Sequence, residues 1–252
     1  MKRTEHIAAY EAEYLNDYGF ESECVRARQQ IVLELIREIE PRTVVEVGCG
    51  IDLIFPHVNE STITRWVIVE PAVAHVEAAR DALSNEPRCS IVAGFLEESE
   101  AEIRAWLPNG ADLVLCSSLL HEIGDSSRIL ESCKALLSSS GMFHVNVPNV
   151  LSFHRRLARA MGLIKSEYEP SQRNVRLDQP HLFDRATLRA LLESNGFEVV
   201  SEGGYLIKPF THTQMESIKS ILTEDILRGL WLLGREHPEL ACEIFVNARR
   251  CA

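Results

Sequence analysis

The sequence predicts an α/β fold: a seven-stranded, mostly parallel sheet with helices on both faces. Two observations carry this. Short apolar runs recur at even intervals, each followed by a segment of helical character, and the first of them runs directly into the glycine pair of "VVEVGCGID" (residues 44–52).

Residues 22–39, "SECVRARQQIVLELIREI", carry apolar side chains at Val25, Ile31, Val32, Leu35, Ile36 and Ile39, near helical spacing, and Pro41 stops the run. The runs "TVVEV" (43–47), "WVIV" (66–69), "SIVA" (90–93) and "DLVLC" (112–116) read as buried parallel strands. Between them, "PAVAHVEAARDAL" (71–83) and "EESEAEIRAWL" (97–107) read as crossover helices. "SRILESCKALLSSSG" predicts a helix closed by its serine run and Gly141, and "MFHVNVP" (142–148) a fifth strand ended by Pro148.

Residues 150–184 predict a helix and then a polar loop, long for a compact domain and so expected to be a lid or substrate-facing insertion. Beyond it, "RATLRALLESNGF" reads as a capped helix and "EVVSEGGYLIK" as a strand interrupted at Gly203–Gly204. "TQMESIKSILTEDILRGLWLLGRE" reads as helical, and "CEIFVNARR" as the last strand. The expected organisation is an N-terminal helical cap over 1–40 and one domain over 41–252 with an insertion at about 150–184.

The chain has 252 residues, enough for a sizeable core, and a formal net charge of −11 that opposes polyanionic partners. No nucleic-acid or membrane partner is therefore expected. The basic stretch "HRRLARAMGLIK" (154–165) is the exception and is expected to be a solvated helix face rather than an anion site. Seven cysteines without a CxxC pair predict reduced thiols in a cytoplasmic protein, with no metal site. Neither a signal peptide nor an apolar run long enough to span a membrane is read.

Glycines after a strand leave bare backbone N–H groups where a ligand comes close. The spacing from Gly48 is G-C-G-I-D-L: the third glycine of a dinucleotide fingerprint is missing, and so is a Walker lysine. Glu46, two residues before Gly48, would repel a pyrophosphate and attract a cation. Glu70 closes the next strand about twenty residues on, where a carboxylate takes ribose hydroxyls. A ribose joined to a cationic amino-acid portion describes S-adenosylmethionine.

This layout resembles the class I S-adenosylmethionine-dependent methyltransferases, whose first motif, E/D-x-G-x-G, stands here as Glu46-Val47-Gly48-Cys49-Gly50. The resemblance covers roughly residues 25–250. It implies a Rossmann-like sheet with an antiparallel last strand, S-adenosyl-L-methionine as cofactor, and a cofactor site of Glu46, Gly48, Cys49, Gly50, Glu70, Phe95, Leu96 and Ser117. Phe95 and Leu96 stand where the family usually carries an acid to adenine, so packing and backbone would hold the ring. "ADLVLCSSLLHEI" (111–123) fits the fourth motif and lacks the Asn/Asp-Pro-Pro-aromatic signature of nucleic-acid methylation. Asp52 in place of the third glycine, and Pro56, imply a late or short helix after the glycine loop.

His121, after strand four, is a candidate general base with a pKa near neutrality, and His181 a second candidate; each is also readable as a packing or anchoring histidine. Tyr205 and Lys208 are candidate acceptor-pocket residues. Tyr14 and Tyr18, with Tyr10, recur every four residues and are expected to cover the cofactor and touch substrate. The implied activity is methyl transfer to an oxygen or nitrogen of a small metabolite, a saccharide or natural-product intermediate, by a protein whose assembly includes a homodimer as an option. Two alternatives stay open: a non-catalytic S-adenosylmethionine-binding regulator and, against the missing glycine, an NAD-dependent oxidoreductase.

Overall fold

A computed structural model describes residue 7 and residues 19–59 and 61–251. Elements are labelled in chain order among these; Tyr10, Tyr14 and Tyr18 lie outside them.

Seven strands form one sheet in the order β3-β2-β1-β4-β5-β7-β6: β1 Thr43–Val47, β2 Arg65–Glu70, β3 Cys89–Ala93, β4 Ala111–Ser117, β5 Leu137–Pro148, β6 Phe197–Tyr205 and β7 Glu243–Arg250. Strands β1 to β5 pair in parallel, and β7 runs antiparallel to both β5 and β6. Both faces of the central strands are covered, so the strands read as unbroken apolar runs rather than alternations.

On one face, Val67, Val69, Val114 and Val145 pack with helices α3 (Leu96–Trp106), α4 (Ser127–Leu136) and α7 (Arg185–Ser194) through Ile103, Leu130 and Leu188. On the other, Val44, Trp66, Ile68 and Leu115 meet Val32, Leu35 and Ile36 of α1 (Glu21–Ile39) and Ala79 of α2 (Val73–Ala82). The boundary expected after residue 40 thus separates no pair of cores, because the second half of α1 belongs to the core of the sheet. The first half of α1 packs Phe20, Cys24 and Ile31 against Tyr205, Leu206 and Met215.

Four expectations are corrected. The serine run 138–140 belongs to β5, which begins at Leu137, and does not close a helix. Strand β6 runs unbroken through Gly203 and Gly204; these are glycines because the Phe245 ring and Ala241 lie 2.7 Å from where their Cβ atoms would sit. The stretch after residue 212 is two helices, α8 (His212–Ser217) and α9 (Glu224–Glu236), the second capped by the Thr223 side chain. After the glycine loop the chain makes only a single 3₁₀ turn, Phe55–His57, with Pro56 in its first turn. No described helix is long and apolar enough to cross a membrane.

The 150–184 segment forms α5 (Phe153–Ala160) and α6 (Gln172–Arg176) joined by turns, and is tied down by Val150 N–H donating to the Phe183 carbonyl at 2.7 Å. Strand order reverses between β1 and β4, and a crevice opens beyond the carboxyl ends of strands at such a switch point.

Candidate active site

That crevice is a cavity of about 1130 Å³, lined by the glycine loop, the ends of β2 and β4, the 150–184 segment and the first turns of α1 and α8. Small-molecule sites are commonly cavities of roughly 300–1,000 Å³. This cavity stands at the upper end of that range.

Gly48 and Gly50 hold φ of +74° and +59°, the left-handed region that glycine enters without strain. Gly48 N–H bonds the Val69 carbonyl at 2.9 Å, which turns the loop back over β2. From above, Gln29 of α1 donates to the Asp52 carbonyl at 3.1 Å.

Glu46 is 2 % exposed, and its Oε2 accepts the Trp66 indole N–H at 2.8 Å. No cation pairs with it among the described residues. Burial drives its pKa up to about 7, against the lowering effect of the Trp66 bond and with a further rise from Glu70. A buried carboxylate without a counter-charge is a natural seat for a cation.

Glu70 is held by two backbone donors, Cys49 N–H to Oε2 at 3.0 Å and Ala72 N–H to Oε1 at 2.8 Å. Each oxygen keeps a lone pair to accept a ribose hydroxyl. Burial and the nearby carboxylates push the Cys49 thiol up, so it stands beside Glu70 as a neutral, unreactive group. Phe95 and Leu96 begin α3, and Ser117 ends β4; all three line the cavity. The donor set thus fits S-adenosylmethionine: a carboxylate for its ammonium, bare amides at the loop, a second carboxylate for its ribose and an apolar edge for adenine. It does not fit a pyrophosphate.

The Ser117–Ser118 edge is held by residues that the motifs did not reveal. Ser118 has φ +53°, and its N–H donates to both the backbone oxygen and the Oδ1 of Asn146 at 3.0 Å. Asn146 Nδ2 donates to Ser117 Oγ and to His144 Nε2, each at 3.1 Å, and His144 Nδ1–H donates to Asn247 Oδ1 at 2.7 Å. This polar chain crosses β4, β5 and β7, and only the strand order assembles it.

His121 sits in a 3₁₀ turn, Leu120–Glu122, against the cavity. Its Nδ1 is buried with no partner, and its Nε2 lies 3.4 Å from Glu122 Oε1. Its pKa is not near neutral: burial, with the Arg28 charge adding to it, brings it down to about 3. His181 lines the same cavity, but its Nε2–H donates to the Gly124 carbonyl at 2.9 Å, so it anchors the loop. Tyr205 does not line the cavity. It is fully buried, and its hydroxyl donates to Glu243 at 2.5 Å. Lys208 does line it.

Opposite the glycine loop stands a cluster that sequence reasoning missed entirely. Arg28 donates to Glu243 at 2.5 Å and to Glu21 at 3.2 Å, and Arg173 reaches Glu21 at 3.3 Å. His212 Nε2–H donates to Glu21 at 2.8 Å. Burial would raise the Glu21 carboxyl, yet the His212 bond and the charges of Arg28 and Arg173 outweigh it and hold Glu21 well below the usual carboxylate range. Glu21, Cys24 and His212 also bring donor atoms within 4.8 Å of one another, but the surrounding cations oppose a metal there. The signal available in the sequence was Glu21 and Arg28, seven residues apart and so on one face of α1, the face that also carries the buried Cys24.

Comparison with known proteins agrees with this geometry. Two curated relatives, both named "Probable S-adenosylmethionine-dependent methyltransferase", from Mycobacterium tuberculosis strains CDC 1551 and H37Rv, are 29% identical over 146 residues, 54% of this chain. The chain spans about half the length, 47%, of these relatives. Among solved structures, an S-adenosylmethionine-dependent methyltransferase from Mesorhizobium loti shares the fold with a TM-score of 0.56 at 17% identity, over 82% of this chain and 90% of that one. The plantazolicin methyltransferase, in complex with a triazolic desmethyl analogue and S-adenosylhomocysteine, does so with a TM-score of 0.58 at 13% identity, over 99% and 98%. The family model described as "Methyltransferase domain" matches residues 18–202, which take in α1, the glycine loop, both acidic strand ends and the β4 edge. On this match and this geometry, the chain belongs to the methyltransferase domain family.

Proposed function

We propose that this protein transfers a methyl group from S-adenosylmethionine to an oxygen or nitrogen of a small metabolite, a saccharide or other natural-product intermediate. The observation that carries the reading is Glu46: a buried carboxylate with no counter-charge among the described residues, lining the same cavity as Glu70. The plantazolicin methyltransferase, a fold neighbour, was solved with a triazolic desmethyl analogue and S-adenosylhomocysteine.

The bound cofactor supplies a methyl on a sulfonium, already activated towards a nucleophile. The chain's residues bind and align. Glu46 receives the ammonium and Glu70 the ribose, while Gly48 and Gly50 let backbone approach without a Cβ between. The 150–184 segment closes the cavity from above and excludes water, and fixed alignment of acceptor and methyl supplies much of the acceleration.

His121, held neutral, offers its unpartnered Nδ1 as a hydrogen-bond acceptor to a hydroxyl or amine of the methyl acceptor. Its low basicity makes it an orienting hydrogen-bond acceptor more than a strong base. The test is incubation with labelled S-adenosylmethionine and a panel of sugars, amines, phenols and carboxylates, read by mass spectrometry for the gain of one methyl. Label transfer that Glu46→Ala abolishes supports the reading. A wild-type protein that does not bind the cofactor by calorimetry overturns it.

A further inference from the structure

Within the acceptor side of the cavity one charge stands apart. Lys208 is 5 % exposed and lines the cavity, yet its only hydrogen-bond partner among the described residues is His212 Nδ1 at 2.8 Å. The ring cannot serve as its counter-ion, because an imidazole carries no negative charge, and the other ring nitrogen donates to Glu21. Glu21 is shared by Arg28 and Arg173, and Glu243 is taken by Arg28 and Tyr205. Among the described residues no carboxylate is left for the ammonium.

The neighbours of Lys208 deepen the imbalance. His154 and Arg155 of α5 line the same wall. The Arg155 guanidinium donates to the backbone carbonyls of Glu167 and Glu169, whose carboxylates also offset its charge, so Arg155 is already partnered. His154 accepts from Ser152 Oγ or donates to it at 3.1 Å. Burial lowers the His154 pKa to about 2, and every charge that acts on it, from Lys208, Arg155 and His212, lowers it further. The basic stretch expected to be a solvated face is therefore divided: Arg156 and Arg159 are turned outward, while His154 and Arg155 turn into the cavity.

A buried ammonium without a counter-charge is costly, and a charge-assisted bond to a carboxylate or phosphate removes that cost. We propose that Lys208 is the docking point for an anionic group, a carboxylate or a phosphate, carried by the methyl acceptor. This rests on the methyl-transfer reading above. It narrows the acceptor from any small metabolite to an acidic one, whose charge seats at Lys208 while its nucleophile faces the glycine-loop side.

The test is calorimetric titration of the protein loaded with S-adenosylhomocysteine, using sodium benzoate, inorganic phosphate and neutral benzamide as probes. Benzoate or phosphate is expected to bind at least about tenfold tighter than benzamide, and Lys208→Met to remove about tenfold or more of that preference. Lys208→Arg, which keeps the charge, retains the preference and controls for folding. Preference for benzoate marks a carboxylate acceptor, and preference for phosphate a phosphorylated one. Equal binding of benzoate, phosphate and benzamide to the wild type, or a preference unchanged in Lys208→Met, overturns the proposal. Failure of S-adenosylhomocysteine to bind, with anion preference intact, sinks the methyl-transfer reading and leaves the anion site standing; cofactor binding without anion preference sinks the anion site alone.

Discussion

The indole N–H of Trp66 on β2 is hydrogen-bonded to the Glu46 carboxylate on β1 at 2.8 Å, and in the parallel register Trp66 stands opposite Val44, one pleat before Glu46 on the same face. The strand pairing thus supplies the one donor that keeps a buried acid aimed at the cavity. Phe55 stacks edge-on against the same indole, with ring centroids 5.3 Å apart, and locks its rotamer.

Cofactor affinity will therefore depend on pH through Glu46. Its folded pKa of about 7 lies above the ordinary value of 4.5, so the free protein carries a proton there below neutrality. Binding of a cationic ammonium needs the ionised form, and affinity is expected to rise by up to about tenfold per pH unit below 7 and to level off above. Glu46→Gln should bind weakly with this pH dependence lost. Trp66→Phe, which removes the donor, should shift the dependence to higher pH; calorimetry from about pH 5.5 to 8.5 reads all three.

His121, with a pKa of about 3, stays neutral through the assay range. Its ring resonances are expected not to titrate between about pH 5 and 8 in an NMR experiment. His121→Ala should lower kcat by about 10²-fold while leaving cofactor affinity within a few fold. Full turnover in that variant would remove the ring from orienting the acceptor.

Acid should destabilise the fold from an unusual side. His121, His144 and His154 have folded pKa values of about 3, 4 and 2, below the ordinary 6.5, so the unfolded chain takes up protons first. The stability they contribute is complete above pH 6.5 and is lost as pH falls from there towards the folded values, at up to about 1.4 kcal/mol per pH unit for each ring. Glu46 works in the opposite direction between 4.5 and 7, where its folded state holds the extra proton, so its contribution is lost as pH rises. Urea unfolding at several pH values should show stability falling below about pH 6, with a shallower slope in His154→Gln.

Asn146 should matter to ligand binding without touching ligand. Asn146→Leu leaves the Ser118 N–H, the Ser117 hydroxyl and His144 Nε2 without the Asn146 side chain and is expected to cost about 1–3 kcal/mol in stability and to weaken cofactor binding. Asn146→Asp keeps the acceptor for Ser118 and should be milder at the site. Equal cofactor affinity in both variants and the wild type would separate the polar chain from the site.

Two glycines of α9 give opposite expectations from the same substitution. A Cβ at Gly229 meets nothing within 4 Å, so Gly229→Ala should stabilise by roughly 0.5–1 kcal/mol. At Gly234 it would lie 2.2 Å from the Leu206 backbone nitrogen, so Gly234→Ala must push α9 off β6 and should destabilise by more than about 2 kcal/mol. Thermal unfolding of the pair separates propensity from packing.

The sequence by itself determined the seven strands and the glycine loop, because a strand buried on both faces is written as a local apolar run and a left-handed turn as local glycines. The closeness of Glu46 and Glu70 was legible for the same reason: the two acids stand in the last two positions of neighbouring parallel strands, whose ends come together. Only the tertiary structure decided what stands opposite. Arg28, Glu21, Arg173, His212 and Glu243 lie up to 222 residues apart in the chain and meet through packing of α1, α6 and α8 over β7, a contact with no periodicity to announce it. The state of His121 was likewise invisible, since a histidine's pKa is set by its burial and the charges around it, and its sequence neighbours specify neither.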